Sequence, residues 1–186
     1  MRFFQRRTER GTAMVEAAIV TPVVMAMIFG IIEFGFFFKD YLSAASSVRA
    51  GVRLASANPR YAGFAQATAN RVQNSGSALD YSTVLDLWVY KANQTNDFPI
   101  GYSSFSNCTT CAKFQWNGSS FAPISGTSWL STSQVACVGA GGPPDRIGVY
   151  LRLRHQAVTG FVFNSLTISE FSVMRLEPIP ATNGCM

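Results

Sequence analysis

The stretch RGTAMVEAAIVTP, Arg10 to Pro22, decides how the rest of the chain is read. It sets one carboxylate, Glu16, just inside an apolar run that carries no charge from Ala17 to Ile32 and only one hydroxyl, Thr21. Glu33 and then Phe34-Gly35-Phe36-Phe37-Phe38 prolong the run, and Lys39-Asp40 marks its exit into water. A helix from Ala17 to Phe38 would be roughly 33 Å long at 1.5 Å per residue, against a hydrocarbon core of about 30 Å. The run is therefore long enough to span a bilayer.

Outward from this stretch on the N-terminal side lie Arg2, Arg6, Arg7 and Arg10, against the single acid Glu9. The whole chain carries a formal charge of +5, yet without residues 1–11 it has 11 basic against 9 acidic side chains. The basic character belongs mostly to the leader. Arginines before an apolar run orient it with the leader on the cytoplasmic side and the long C-terminal part outside. That placement argues against a phosphate-binding patch, so no nucleic-acid partner is expected. Charged residues make up only 13% of the 186 residues, about half the usual share of soluble domains at roughly 25%. The length suits one domain and an anchor.

A cleaved secretory signal would have a shorter apolar core and a small-residue exit, and Glu33-Phe-Gly-Phe-Phe-Phe offers neither. A plain single-pass anchor explains the length and the arginines but not Glu16. An ionised side chain in mid-membrane costs about 2.5–3.5 kcal/mol on insertion scales, less near the interface, and such residues usually have a partner or a task. Glu33, near the outer end of the run, reads first as a snorkelling interfacial residue, with a secondary intramembrane contact as the other possibility. Pro22 is expected to kink the helix.

Gly11 followed by Thr12-Ala13-Met14-Val15-Glu16 resembles the prepilin processing pattern, a glycine before the cut and a glutamate at the fifth position of the mature chain. With IIEFG and AASSVRAGVRLAS, the segment from about residue 8 to 57 is similar to the TadE-like minor pilins, or pseudopilins, of Tad (Flp-type) pilus systems. The resemblance implies a bacterial source and a prepilin peptidase that cuts between Gly11 and Thr12 on the cytoplasmic face. It implies other pilins and Tad assembly-platform proteins as partners. It also implies that Glu16 meets the new N-terminal amine of a neighbouring subunit, two desolvated charges relieved together.

Beyond Lys39, Leu42, Ala45, Val48, Val52 and Ala55 recur at spacings of three and four, with Arg49 and Arg53 off that stripe. A helix from about 13 to 57 is predicted, ended by Asn58-Pro59, with a short second helix in YAGFAQATANRVQNSGS, from Tyr61, that turns Phe64, Ala67 and Val72 inward and stops near Ser75-Gly76. Strands are predicted over Val84–Tyr90, around a hairpin at Asn117-Gly118, over Arg146–Arg154 and over Leu166–Glu177, the last with a bulge near Val173. In the clearest strand Ile147, Val149, Leu151 and Leu153 share one face. Val158 to Asn164 reads as a helical turn or short helix. Residues 91–112 and 122–145 read as surface loops. DRIGVYLRLRH and VMRLEPIP also resemble the C-terminal half of actinobacterial TadE-like proteins. The expected architecture is α+β: a basic leader (1–11), a transmembrane and spine helix (12–57), and an extracytoplasmic head (58–186) with an antiparallel sheet packed on the helix.

Cys108, Cys111, Cys137 and Cys185 all fall on the outer side, where an even number favours disulfides. Three pairings are open, with a lean toward Cys137 bonding one of the 108/111 pair. Cys-Thr-Thr-Cys lacks the βαβ context of a redox site and the second close pair of a zinc site. No metal, cofactor or catalytic constellation is indicated: His155 stands alone at a strand end, and Asp80, Asp86, Asp97 and Asp145 read as turn and surface residues. A structural pilus protein in the cell membrane or the fibre is expected rather than an enzyme. The alternatives are an uncleaved, membrane-anchored extracytoplasmic binding protein and, further off, a secreted hydrolase.

Overall fold

The computed structural model of the chain describes residues 6–76, 78–137 and 142–180. Arg2 and Cys185 lie outside the described residues. The described elements are α1 (Arg6–Ala57), α2 (Phe64–Ser75), β1 (Val84–Ala92), β2 (Ala112–Trp116), β3 (Phe121–Ser125), β4 (Arg146–Gln156) and β5 (Ser165–Arg175). The chain divides into two compact units, residues 1–38 with 156–166, and residues 39–155 with 167–186.

Helix α1 begins earlier than the expected start near residue 13 and passes Pro22 without losing its helical backbone. Once the apolar run is helical, adding a residue at either end costs little compared with nucleation. Gly11 costs only about 1 kcal/mol there, and Pro22 removes a single N–H. Immediately before it, the Thr21 hydroxyl donates to the Ala17 carbonyl one turn back at 2.6 Å. Gly11 to Ala57 is apolar enough to cross a membrane, with a mean hydropathy of 2.3 over its best window and none of that window buried within the chain.

In the first unit, the predicted helical turn at Val158–Asn164 is instead an irregular loop joining β4 to β5. Ala157 N–H donates to Asn164 O at 3.0 Å across its base, and Gly160 takes a left-handed φ of +65°. A right-handed helix cannot continue through a residue at that φ, which glycine adopts without strain.

In the second unit the strands form one sheet in the order β3-β2-β1-β4-β5, antiparallel throughout. Leu87 pairs with Leu151 and Val89 with Val149 across β1 and β4, and with Ile147 and Leu153 they are fully or almost fully buried. The face expected for β4 is therefore the core face. The helical stripe is buried at Ala44, Ala45, Val48, Val52 and Ala55, but Leu42 is 63% exposed. Ala44 takes its place, since the stripe drifts around a 3.6-residue helix rather than keeping a strict repeat. Helix α2 buries Phe64, Thr68, Ala69 and Val72, while Ala67 is only half-buried. A methyl built on Gly51 would stand 2.6 Å from Val72 Cγ2, so the glycine lets the two helices approach closely.

The opposite sheet face is also covered, which the reading of 91–112 as a surface loop missed. Trp88, Tyr90 and Tyr150 form a second core cluster with Cys108 and Cys111, and Phe105 packs against it. The Phe105 ring stacks on Tyr150 with centroids 4.1 Å apart. The Asn117-Gly118 hairpin is present, with Asn117 Oδ1 accepting from the Ser119 and Ser120 N–H groups at 3.0 and 2.9 Å. The last strand ends at Arg175, two residues before its expected end.

Candidate functional site

The functional residues expected from the sequence lie along α1. Gly11 is helical and a methyl built there meets nothing within 4 Å. Thr12 and Glu16 stand four residues apart on the same helix, hence one turn apart on one face. Glu16 is exposed, and no hydrogen bond or ion pair links it to another described residue. Arg6, Arg7 and Arg10 fall on the first two turns of α1.

Glu33 behaves in the opposite way. It is 0% exposed, in a helix segment whose neighbours Ile31, Ile32 and Phe34 are all exposed. Its Oε1 accepts the Val158 N–H at 2.8 Å. Its Oε2 accepts the Thr159 N–H at 2.9 Å and the Thr159 hydroxyl at 2.6 Å. The snorkelling reading is therefore corrected: the carboxylate turns toward the β4–β5 loop, and hydrogen bonds offset its desolvation. Aromatic contacts fasten the same loop to the helix, among them Phe161 on Phe29 at 5.9 Å and Phe163 on Phe34 and Phe37 at 6.1 and 6.4 Å. Sequence reasoning missed Val158, Thr159, Phe161 and Phe163 because they lie about 125 residues from Glu33. The available signal was compositional: ordinary hairpin loops are polar, whereas AVTGFVFN is not.

Past the apolar run, His155 is buried rather than at the surface, and its Nδ1 lies 2.8 Å from Asp40 Oδ2. Glu170 is half-buried, and burial raises its pKa against the opposing effects of the Tyr41 hydroxyl and the Arg49 charge. Tyr90 is pushed well above its ordinary range, by burial first and by Asp97 second.

The remaining polar residues hold loops in place. Asp145 is buried and binds Lys91 Nζ at 2.8 Å and the Val135 N–H at 3.0 Å, which corrects its reading as a surface residue. Asp80 caps a short turn at Ser82, Asp86 pairs with Arg152 and Asp97 with Arg146. Cys108 is bonded to Cys111, so the expected lean toward a bond from Cys137 to that pair is wrong. Cys137 is disulfide-bonded as well. The two cysteines of Cys-Thr-Thr-Cys are already neighbours, and closing so short a loop needs no distant element to be brought in. The cavity beside the end of α1, lined by Leu54, Ala55, Asn58, Tyr61, Phe64 and Thr68, brings together neither an acid nor a base of the catalytic kind.

No curated protein and no solved structure matches the chain. Residues 11–53 match the family model described as TadE-like protein, so this N-terminal segment is similar to the family whose pattern the sequence resembles.

Proposed function

We propose that the chain is a minor pilin of a Tad-type pilus, made as a prepilin, cut after Gly11 by a prepilin peptidase and held by α1 in the cell membrane with its head outside. The observation that carries this reading is the contrast between the two carboxylates of the span. Glu33 is spent inside the chain, while Glu16 projects from an apolar helix with no described partner. Cleavage after Gly11 would leave a cationic amine at Thr12, one turn from Glu16. In an assembled bundle the amine of one subunit and the Glu16 of the next neutralise each other, which fixes their axial register. Other pilins and the assembly platform are the partners this requires, and the role is structural rather than enzymatic.

The unbroken helix through Gly11 favours a second reading, an anchored extracytoplasmic binding protein that keeps its leader. A peptidase must first unwind this stretch, although Gly11 lowers the cost of doing so. N-terminal sequencing of the membrane-associated chain separates the two. A chain beginning at Thr12 supports the pilin reading, and an intact leader on the assembled protein overturns it.

A further inference from the structure

We infer that the β4–β5 loop, residues 157–164, is a second membrane-embedded element that faces the acyl chains of the leaflet on the Lys39 side of the span. The inference rests on α1 being a membrane span. Three of the loop's exposed side chains are apolar, Val158 and Phe161 at 61% and 63% exposure and Val162, beside the polar Thr159 and Asn164. They continue the apolar surface of the helix segment they pack on, where Ile28, Ile31 and Ile32 are also exposed. Phe161 lies against Phe29, nine residues inside Phe38 and therefore roughly 13 Å further along the helix. That is deeper than the roughly 5–10 Å reached by an interfacial amphipathic helix.

Irregular backbone survives in hydrocarbon only when its polar groups are satisfied from within. Four of the loop's N–H groups meet that condition. The Ala157 N–H donates to Asn164 O, the Val158 and Thr159 N–H groups donate to Glu33, and the Phe161 N–H donates to Thr159 Oγ1 at 3.3 Å. Water would serve a solvent-facing loop equally well, at no cost in buried charge. Glu33 thus supplies acceptors where lipid supplies none, and the loop in turn seals the carboxylate from lipid.

The test uses the full chain in phosphatidylcholine vesicles, with and without bromine on the acyl chains, and with acrylamide as an aqueous quencher. Phe161→Trp and Val158→Trp report on the loop, Ile31→Trp reports on the span, and the emission of Trp88, Trp116 and Trp129 in the parent chain is subtracted. Brominated lipid is expected to remove most of the added emission from all three variants, and acrylamide little of it. If Ile31→Trp is quenched by lipid while both loop variants respond only to acrylamide, the loop is in water and the inference is overturned. If neither quencher reaches the loop tryptophans, protein covers them, a second copy included, and the inference is again overturned. Failure of Ile31→Trp to respond to lipid would overturn the span itself.

Discussion

Glu33 and Glu16 differ by 17 positions and by everything around them. Removing the Glu33 side chain leaves the Val158 and Thr159 N–H groups without their acceptor in an apolar setting, a loss of about 1–3 kcal/mol per buried group. Glu33→Ala should therefore raise amide hydrogen exchange at 158 and 159 by one to two orders of magnitude, roughly what 1.4 kcal/mol per tenfold implies. Glu33→Gln, which keeps one acceptor oxygen, should fall between. Equal exchange in all three proteins would show that Glu33 does not hold the loop. Glu170 gives a pH test at the same scale. Its folded pKa lies above the unfolded one, so the folded state binds its proton more tightly. Stability from this group is present at low pH and is lost as pH rises through the folded pKa. Glu170→Gln should thus melt at a higher temperature than the parent at neutral pH, with the gap closing below the ordinary carboxylate range. A gap that widened toward acid would reverse the sign of the argument.

Among the elements, β4 was the most legible and the loop after it the least. Strict alternation over Ile147, Val149, Leu151 and Leu153 defines a buried face wherever the strand pairs. By contrast, VTGFVF has neither period, and its conformation follows from a carboxylate on another element. Residues 91–112 misled for a related reason: Gly, Ser, Thr and Asn speak for loops, but Phe105 and the two cysteines are what pack on the sheet. Gly148 belongs to this second core. Opposite Tyr90 in the register, it leaves room for the ring, and a methyl placed there would collide with it. Gly148→Ala should destabilise the head by about 1–3 kcal/mol, the usual cost of overpacking, as read by thermal melting of the full chain in micelles. An unchanged midpoint would mean that the ring moves aside freely. The Cys108–Cys111 bond closes too few residues to constrain the unfolded chain much, about 2 kcal/mol by loop entropy. Replacing both with alanine should weaken the head without unfolding it.

For the whole molecule, a helix long and apolar enough to cross a membrane was legible in the first 60 residues, because a bilayer imposes length rules that need no tertiary knowledge. The α+β head followed from the alternation of its strands. The assignment of the two embedded carboxylates could not follow from either, since Glu16 and Glu33 look alike in sequence and only the fold supplies a partner to one. Their roles should therefore separate experimentally. Glu16→Ala removes a group with no described partner, so the isolated chain should melt and exchange as the parent does while, on the proposed pilin reading, its recovery with pilins falls. Inserting it should be no harder, because a charge leaves the apolar run. Glu33→Ala should do the reverse first, loosening the subunit's own loop before any effect on assembly. Co-purification with the other pilins, measured beside loop hydrogen exchange for both variants, decides the matter. If Glu16→Ala altered the isolated subunit, or if both variants lost assembly with no change in the loop, the division between an inward and an outward carboxylate would be wrong.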